Sequence, residues 1–116
     1  MSRGICIYYQ LKREEGSKLV YGYSGVDLNK EYDKNKILSY DGEFEISKNA
    51  LIRKDVLDAF KDQDIMFSKE SAYEWHHEKV KNGEDYIGFF AMKAVFKIFN
   101  QYKTLQYIEE KGAVAY

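Results

Sequence analysis

Proline is missing from this 116-residue sequence, cysteine and tryptophan occur once each, and histidine occurs twice. Each shortage removes a class of reading. Without proline no segment forms a polyproline linker. With Cys6 as the only cysteine, no internal disulfide and no cysteine-built zinc site can form. Cys6 sits in an apolar run, where a buried, inert thiol is expected. Net charge is also lacking: 18 basic and 19 acidic side chains leave −1, so no global field holds a polyanion and a general nucleic-acid binder is disfavoured. Lys93 and Lys97 with Tyr102 and Lys103 form the one local patch that argues for nucleic acid. Long hydrophobic runs are absent, since no stretch approaches the roughly eighteen apolar residues of a membrane span. The apolar run in "MSRGICIYYQLKREEG" is too short for a secretory signal. A cytoplasmic protein without membrane association is the expectation.

Catalytic templates are equally scarce. There is no G-x-S-x-G elbow, Walker loop or dinucleotide fingerprint, and "YGYSGVD" merely places two glycines close together. Asp27, Glu31 and Asp33 have the density of a cation loop without the Asp-x-Asp-x-Asp-Gly arrangement. Glu43 and Glu45 alternate with apolar residues, the pattern of a strand's polar face rather than of a paired acid and base. No cofactor is implied.

What the chain has is aromatic rings: eleven tyrosines, seven phenylalanines and one tryptophan, 16 % of residues. Hydrophobic residues at 45 % and charged residues at 32 % are globular proportions, enough apolar surface to offset chain entropy. Residues 1–116 are read as one domain around one core.

Strands come first. "GICIYYQL" (4–11) sets Ile5, Ile7 and Tyr9 on one face and Cys6, Tyr8 and Gln10 on the other, and "LVYGYSG" (19–25) alternates Leu19, Tyr21, Tyr23 against Val20, Gly22, Ser24. With "KREEGSK" as connector they predict a hairpin. Residues 26–36 are polar and read as a loop. In "ILSYDGEFEI" (37–46) Asp41-Gly42 predicts a type I′ turn between two further strands, with Ile37, Phe44 and Ile46 on the core face. After Ser47 the period changes: "NALIRKDVLDAFKDQD" carries Ile52, Val56, Ala59 and Phe60 on one side, with Ser47 or Asn49 as N-cap, the signature of an amphipathic helix. A second helix is predicted within 68–81, closed by Asn82-Gly83. A third, over 86–102, has an apolar arc of roughly 250°, far wider than the roughly 100° one core face needs. The tail "EEKGAVAY" ends in a short strand that can join the sheet. The predicted fold is α+β: a four- to five-stranded antiparallel meander, begun by two N-terminal hairpins, packed against two or three C-terminal helices. Chains with this look resemble many small bacterial and viral proteins, a likeness that assigns no site.

Both histidines fall in "SAYEWHHEKVKNGEDY" (71–86). On a helix Glu74 and His77 project together and Glu78 follows, one half of a carboxylate and imidazole metal site. A metal-assisted hydrolase using Glu74, His77 and Glu78 is therefore the enzymatic alternative. The favoured expectation is a non-enzymatic binding or inhibitory protein whose aromatic surface meets a protein partner through Tyr21, Tyr23, Tyr40 and Trp75, because amphipathic rings supply contact area at low entropy cost. The excess apolar arc on the last helix predicts a homo-oligomer, with Phe89, Phe96 and Phe99 as interface candidates.

Overall fold

β-Branched and aromatic side chains at alternate positions favour extended backbone, and the first two such runs lie at the heart of a sheet. The structure, a computed structural model, describes residues 4–29, 31–71, 80–82, 85–87 and 89–115. Strands β1 (Ile5–Glu15) and β2 (Lys18–Asp27) form a long antiparallel hairpin. Its turn is Gly16-Ser17 alone, with Glu15 opposite Lys18, and Gly16 has φ 62°, as a two-residue turn with glycine in its first central position requires. The polar connector expected at 12–18 is therefore mostly strand. Ladder hydrogen bonds extend the hairpin beyond the part that covers core, with Lys12 as the extra residue of a bulge between the Leu11–Tyr21 and Arg13–Val20 pairs.

The chain continues through helix α1 (Lys34–Leu38), β3 (Gly42–Ser47), helices α2 (Lys48–Arg53) and α3 (Val56–Lys61), β4 (Ile65–Lys69), the short pair β5 (Val80–Asn82) and β6 (Asp85–Ile87), helix α4 (Phe89–Leu105) and β7 (Lys111–Ala115). Five strands make one antiparallel sheet in the order β4-β3-β2-β1-β7, while among the described residues β5 and β6 pair only with each other. This is the α+β fold the sequence predicts, with helices packed on the sheet.

Three local expectations give way. Residues 37–40 are not a strand: Asp33 caps α1 by accepting from the Asn35 N–H at 2.9 Å, so Ile37 and Leu38 are helical. Gly42 lies inside β3, and β3 pairs with β2 (Gly22 opposite Glu43, Tyr21 opposite Phe44) and β4 rather than with 37–40. The helix expected after Ser47 is two helices. Ser47 does cap the first by accepting from the Ala50 N–H, but Asp55 accepts from the Asp58 N–H at 2.9 Å and starts a second. Lys54 holds the break with its ammonium 2.9 Å from Asp62 and 2.7 Å from Asp64, and those carboxylates raise its pKa. Leu51, not Ile52, turns inward: it is buried while Ile52 is 49 % exposed. Finally, the ends of the helix expected within 68–81 are strand, Ser68 and Lys69 in β4 and Val80 in β5; residues 72–79 lie outside the described ones.

One face of the sheet carries the core. Ile7, Tyr9, Leu19, Tyr21, Tyr23, Phe44 and Ile46 are buried there against Phe90, Ala94, Val95, Ile98 and Phe99 of α4. Burying rings of this size contributes roughly 1.5–3 kcal/mol each. Tyr21 stacks on Phe44 at 5.5 Å, and a chain of rings continues through Phe67, Phe60 and Phe96. Helix α4 meets β1, β2 and β7 on one side and α2 and α3 on another, so two sides of its apolar arc pack against its own chain, while Met92, Phe96 and Tyr102 are half-buried. Gly25 is what lets α4 seat: a side chain there would collide with the Phe90 ring. No helix among the described residues is long and apolar enough to cross a membrane.

Candidate functional site: an aromatic cleft

The other face of the sheet is built from the alternate residues of the same strands. Cys6 and Tyr8 of β1 stand beside Val26 and Ser24 of β2. Residues 28–29 and 31–41 fold back over them, and three interactions fix the path. Asp27 accepts from the Asn29 N–H at 3.0 Å, Asp33 caps α1, and the buried Ser24 hydroxyl donates to the Ile37 carbonyl at 2.7 Å. Between this segment and the sheet lies a cleft of about 260 Å³. Tyr8, Tyr32 and Tyr40 line it, together with the aliphatic side chains of Val26, Leu28, Ile37 and Leu38; Lys34 is the one charged residue among the described lining. Leu38 is 70 % exposed, Leu28 45 % and Tyr32 37 %. Large apolar side chains scattered singly on a surface are ordinary, whereas several around one concavity mark a binding site.

Tyr40 gives the cleft its least expected feature. It follows the C-terminal end of α1 with φ 48°, donating its backbone N–H to the Ile37 carbonyl at 3.3 Å. Glycine is the usual occupant of such a position, and a bulky side chain there stores strain of the kind concentrated at functional sites. Gly22 accommodates it, for Tyr40 and the Lys12 stem both press against that glycine. Burial raises the pKa of Tyr8, and its hydrogen bond to Cys6 and the neighbouring Tyr32 and Tyr40 hydroxyls raise it further, so the phenol stays neutral at physiological pH. With aromatic walls, hydroxyl tips and the Lys34 cation, the arrangement can hold an apolar or aromatic group and orient it. The described lining contains no paired acid and base to run a reaction.

The structure disperses the other predicted site residues. Tyr21 and Tyr23 are 0 % and 1 % exposed, core rings rather than contact surface. They alternate toward α4, and their hydroxyls are engaged inside: Tyr21 donates to the Glu109 carbonyl, and Tyr23 accepts from the Ser71 N–H at 3.2 Å. Phe99 is likewise core at 1 %, and Phe96 is half-buried, 6.0 Å from Phe60. Phe89 begins α4, its side chain outside the described residues, as are Glu74, Trp75, His77 and Glu78 altogether. Among the described residues no three of His, Cys, Asp and Glu gather closely enough to hold a metal ion. Cys6 is half-buried and faces the outer side of the sheet, not the core.

Residue-level reading missed Tyr32, Lys34 and the aliphatic rim. The available signal was the large apolar residues Leu28 and Tyr32 in an otherwise polar run ahead of Ile37 and Leu38. It also missed Glu109, buried at 8 %. Its carboxylate accepts from the Tyr9 hydroxyl and from Gln101 at 3.5 Å. Gly112 makes room for that pair, because any side chain there would meet both the Tyr9 hydroxyl and the Glu109 carboxylate. Compared with known proteins, the chain matches no family model, and no match emerges among curated proteins or solved structures.

Proposed function

We propose that the protein is a non-enzymatic binding or inhibitory module that engages a protein partner through the cleft of Tyr8, Tyr32 and Tyr40. One observation carries this: three tyrosines and four aliphatic side chains line a single concavity, with Tyr40 kept in a left-handed backbone at its mouth. A volume of about 260 Å³ suits one or two side chains of a partner rather than a large cofactor. Tyrosine rings make such an anchor site efficient, since each contributes apolar area and a hydrogen-bonding tip with two rotatable bonds. The module is taken to act in the cytoplasm.

Leu38→Asp tests the reading. Leu38 is mostly exposed, so the fold should tolerate the charge while the cleft becomes hostile to an apolar group. Tagged wild-type protein is expected to capture a discrete partner from its source cell, and the Leu38→Asp and Tyr32→Ala variants are expected to lose that partner with unchanged circular dichroism. A partner retained by both variants would refute the cleft as the contact.

A further inference from the structure

The sheet has a second feature that the cleft does not explain, the outer edge of β7. The hydrogen-bond phase of this strand is fixed by two independent contacts. Leu11 donates its N–H to the Glu110 carbonyl at 2.7 Å, so in an antiparallel ladder of period two Gly112 and Val114 also turn their backbone groups toward β1. Lys111, Ala113 and Ala115 then turn theirs away. The Lys97 ammonium, reaching from α4, lies 3.4 Å from the Ala113 carbonyl, which places that carbonyl on the outer side. Among the described residues no strand pairs there, since the sheet order ends at β7.

Edges of this kind are usually blunted by proline, a bulge or several charges. Here the strand is Lys-Gly-Ala-Val-Ala, in register with β1 throughout. Its outward side chains, Ala113 and Ala115, are small and exposed, so another backbone can approach at ladder distance. The charged side chains beside the outward backbone groups are Lys111 of the strand and Lys97, which reaches the Ala113 carbonyl; Glu110, before the strand, turns its carbonyl toward β1. Two copies set edge to edge would bring their Lys97 ammonium groups against each other, whereas a strand bearing carboxylates would meet them with opposite charge.

We propose that β7 is a docking edge for an extended segment of a partner protein that carries acidic residues, which adds as a sixth strand beyond β7. The incoming strand exchanges main-chain hydrogen bonds with Lys111, Ala113 and Ala115, and Lys97 turns from the Ala113 carbonyl to a carboxylate of the guest. This site is separate from the cleft, so either can fail without the other.

The backbone phase supplies a sharp test. Ala113→Pro removes an outward N–H that no β1 residue uses, so the variant should fold and melt as wild type, because edge strands accept proline on that side. Val114→Pro removes an N–H that β1 needs and should lower the melting point. The probe is a blocked seven-residue peptide alternating valine with glutamate, against the same peptide with lysine for glutamate, followed by NMR shifts and amide exchange at millimolar peptide. Expected are shifts centred on Ala113 and Ala115, several-fold tighter binding of the glutamate peptide, reversal of that preference in Lys97→Glu, and loss of binding in Ala113→Pro. Absence of shifts at β7, or binding indifferent to Ala113→Pro, would overturn the proposal. So would a concentration-dependent dimer that Ala113→Pro abolishes, since the guest would then be a second copy.

Discussion

Two tyrosine hydroxyls illustrate how much of this core's specificity depends on single atoms. Tyr9 and Tyr21 are both fully buried, one hydroxyl meeting the Glu109 carboxylate and the other its carbonyl. Burial, reinforced by the nearby acidic charge, pushes both phenols above the range of a free tyrosine. The sign of the consequence follows directly. A raised folded-state pKa means that the unfolded chain gives up its protons first, near pH 10. The stability these groups contribute is complete below that pH and is lost as pH climbs toward their folded values, by about 1.4 kcal/mol per pH unit for each tyrosine that ionises only when unfolded. Urea midpoints are therefore expected to be flat from pH 8 to about pH 9.5 and to fall steeply above it, with part of the tyrosinate absorbance appearing only on unfolding. If all eleven tyrosines titrate together near pH 10 in the folded protein, Tyr9 and Tyr21 are not buried as described. None of this was legible in the sequence, which shows a Tyr-x-Tyr alternation but not that its rings face inward onto Glu109, a hundred residues away from Tyr9.

At the scale of elements, legibility tracked how local the deciding physics was. β1, β2, β3 and α4 were readable because alternation or a 3.6-residue period marks a buried face wherever the chain places it. Phe44 and Ile46 are buried and Glu43 and Glu45 half-exposed, as their alternation predicts. The misreadings came from competing caps. Asp41-Gly42 is a strong hairpin signal, yet the Asp33 cap makes 34–38 helical, and Tyr40 supplies the left-handed residue that the turn was expected to draw from Asp41-Gly42. In the same way the Asp55 cap divides a continuous apolar pattern into α2 and α3. α3 ends with Gln63 at φ 60°, the Gln63 N–H donating to the Phe60 carbonyl at 3.2 Å and the Asp64 N–H to Ala59 at 2.9 Å. That is a Schellman cap made without glycine. Gln63 is exposed, so Gln63→Gly should relieve the left-handed strain without loss of packing and stabilise the protein by about 0.5–1 kcal/mol, read as a higher thermal midpoint. A lower midpoint would mean that the glutamine side chain, not the backbone, sets stability at this cap.

Across the whole molecule, the chain's last strand lies beside its first, and β7 holds more than its five residues suggest. It pairs with β1 from Cys6–Ala115 to Gln10–Lys111, covers the core with Val114, and brings Gly112 against the Tyr9–Glu109 pair. Deleting residues 111–116 removes that half of the β1 ladder and opens Ile7 and Tyr9 to water. With hydrogen bonds worth about 1 kcal/mol each and partial burial of one valine worth about as much, the cost is roughly 3–5 kcal/mol, a large share of a small domain's stability. A second effect is directional. β1 would become the sheet's edge, and its sequence there, Ile-Cys-Ile-Tyr-Tyr, is a far larger apolar template than the small alanine side chains of β7 present. The truncated protein is expected to melt at lower temperature and to scatter light at concentrations where both wild type and Ala113→Pro stay clear. That difference separates two roles of β7, cover for β1 and offered edge, because Ala113→Pro removes only the second. A truncated chain that stays clear and keeps the wild-type midpoint would show that β7 covers nothing, and the placement of Glu109 beneath it would lose its structural reason.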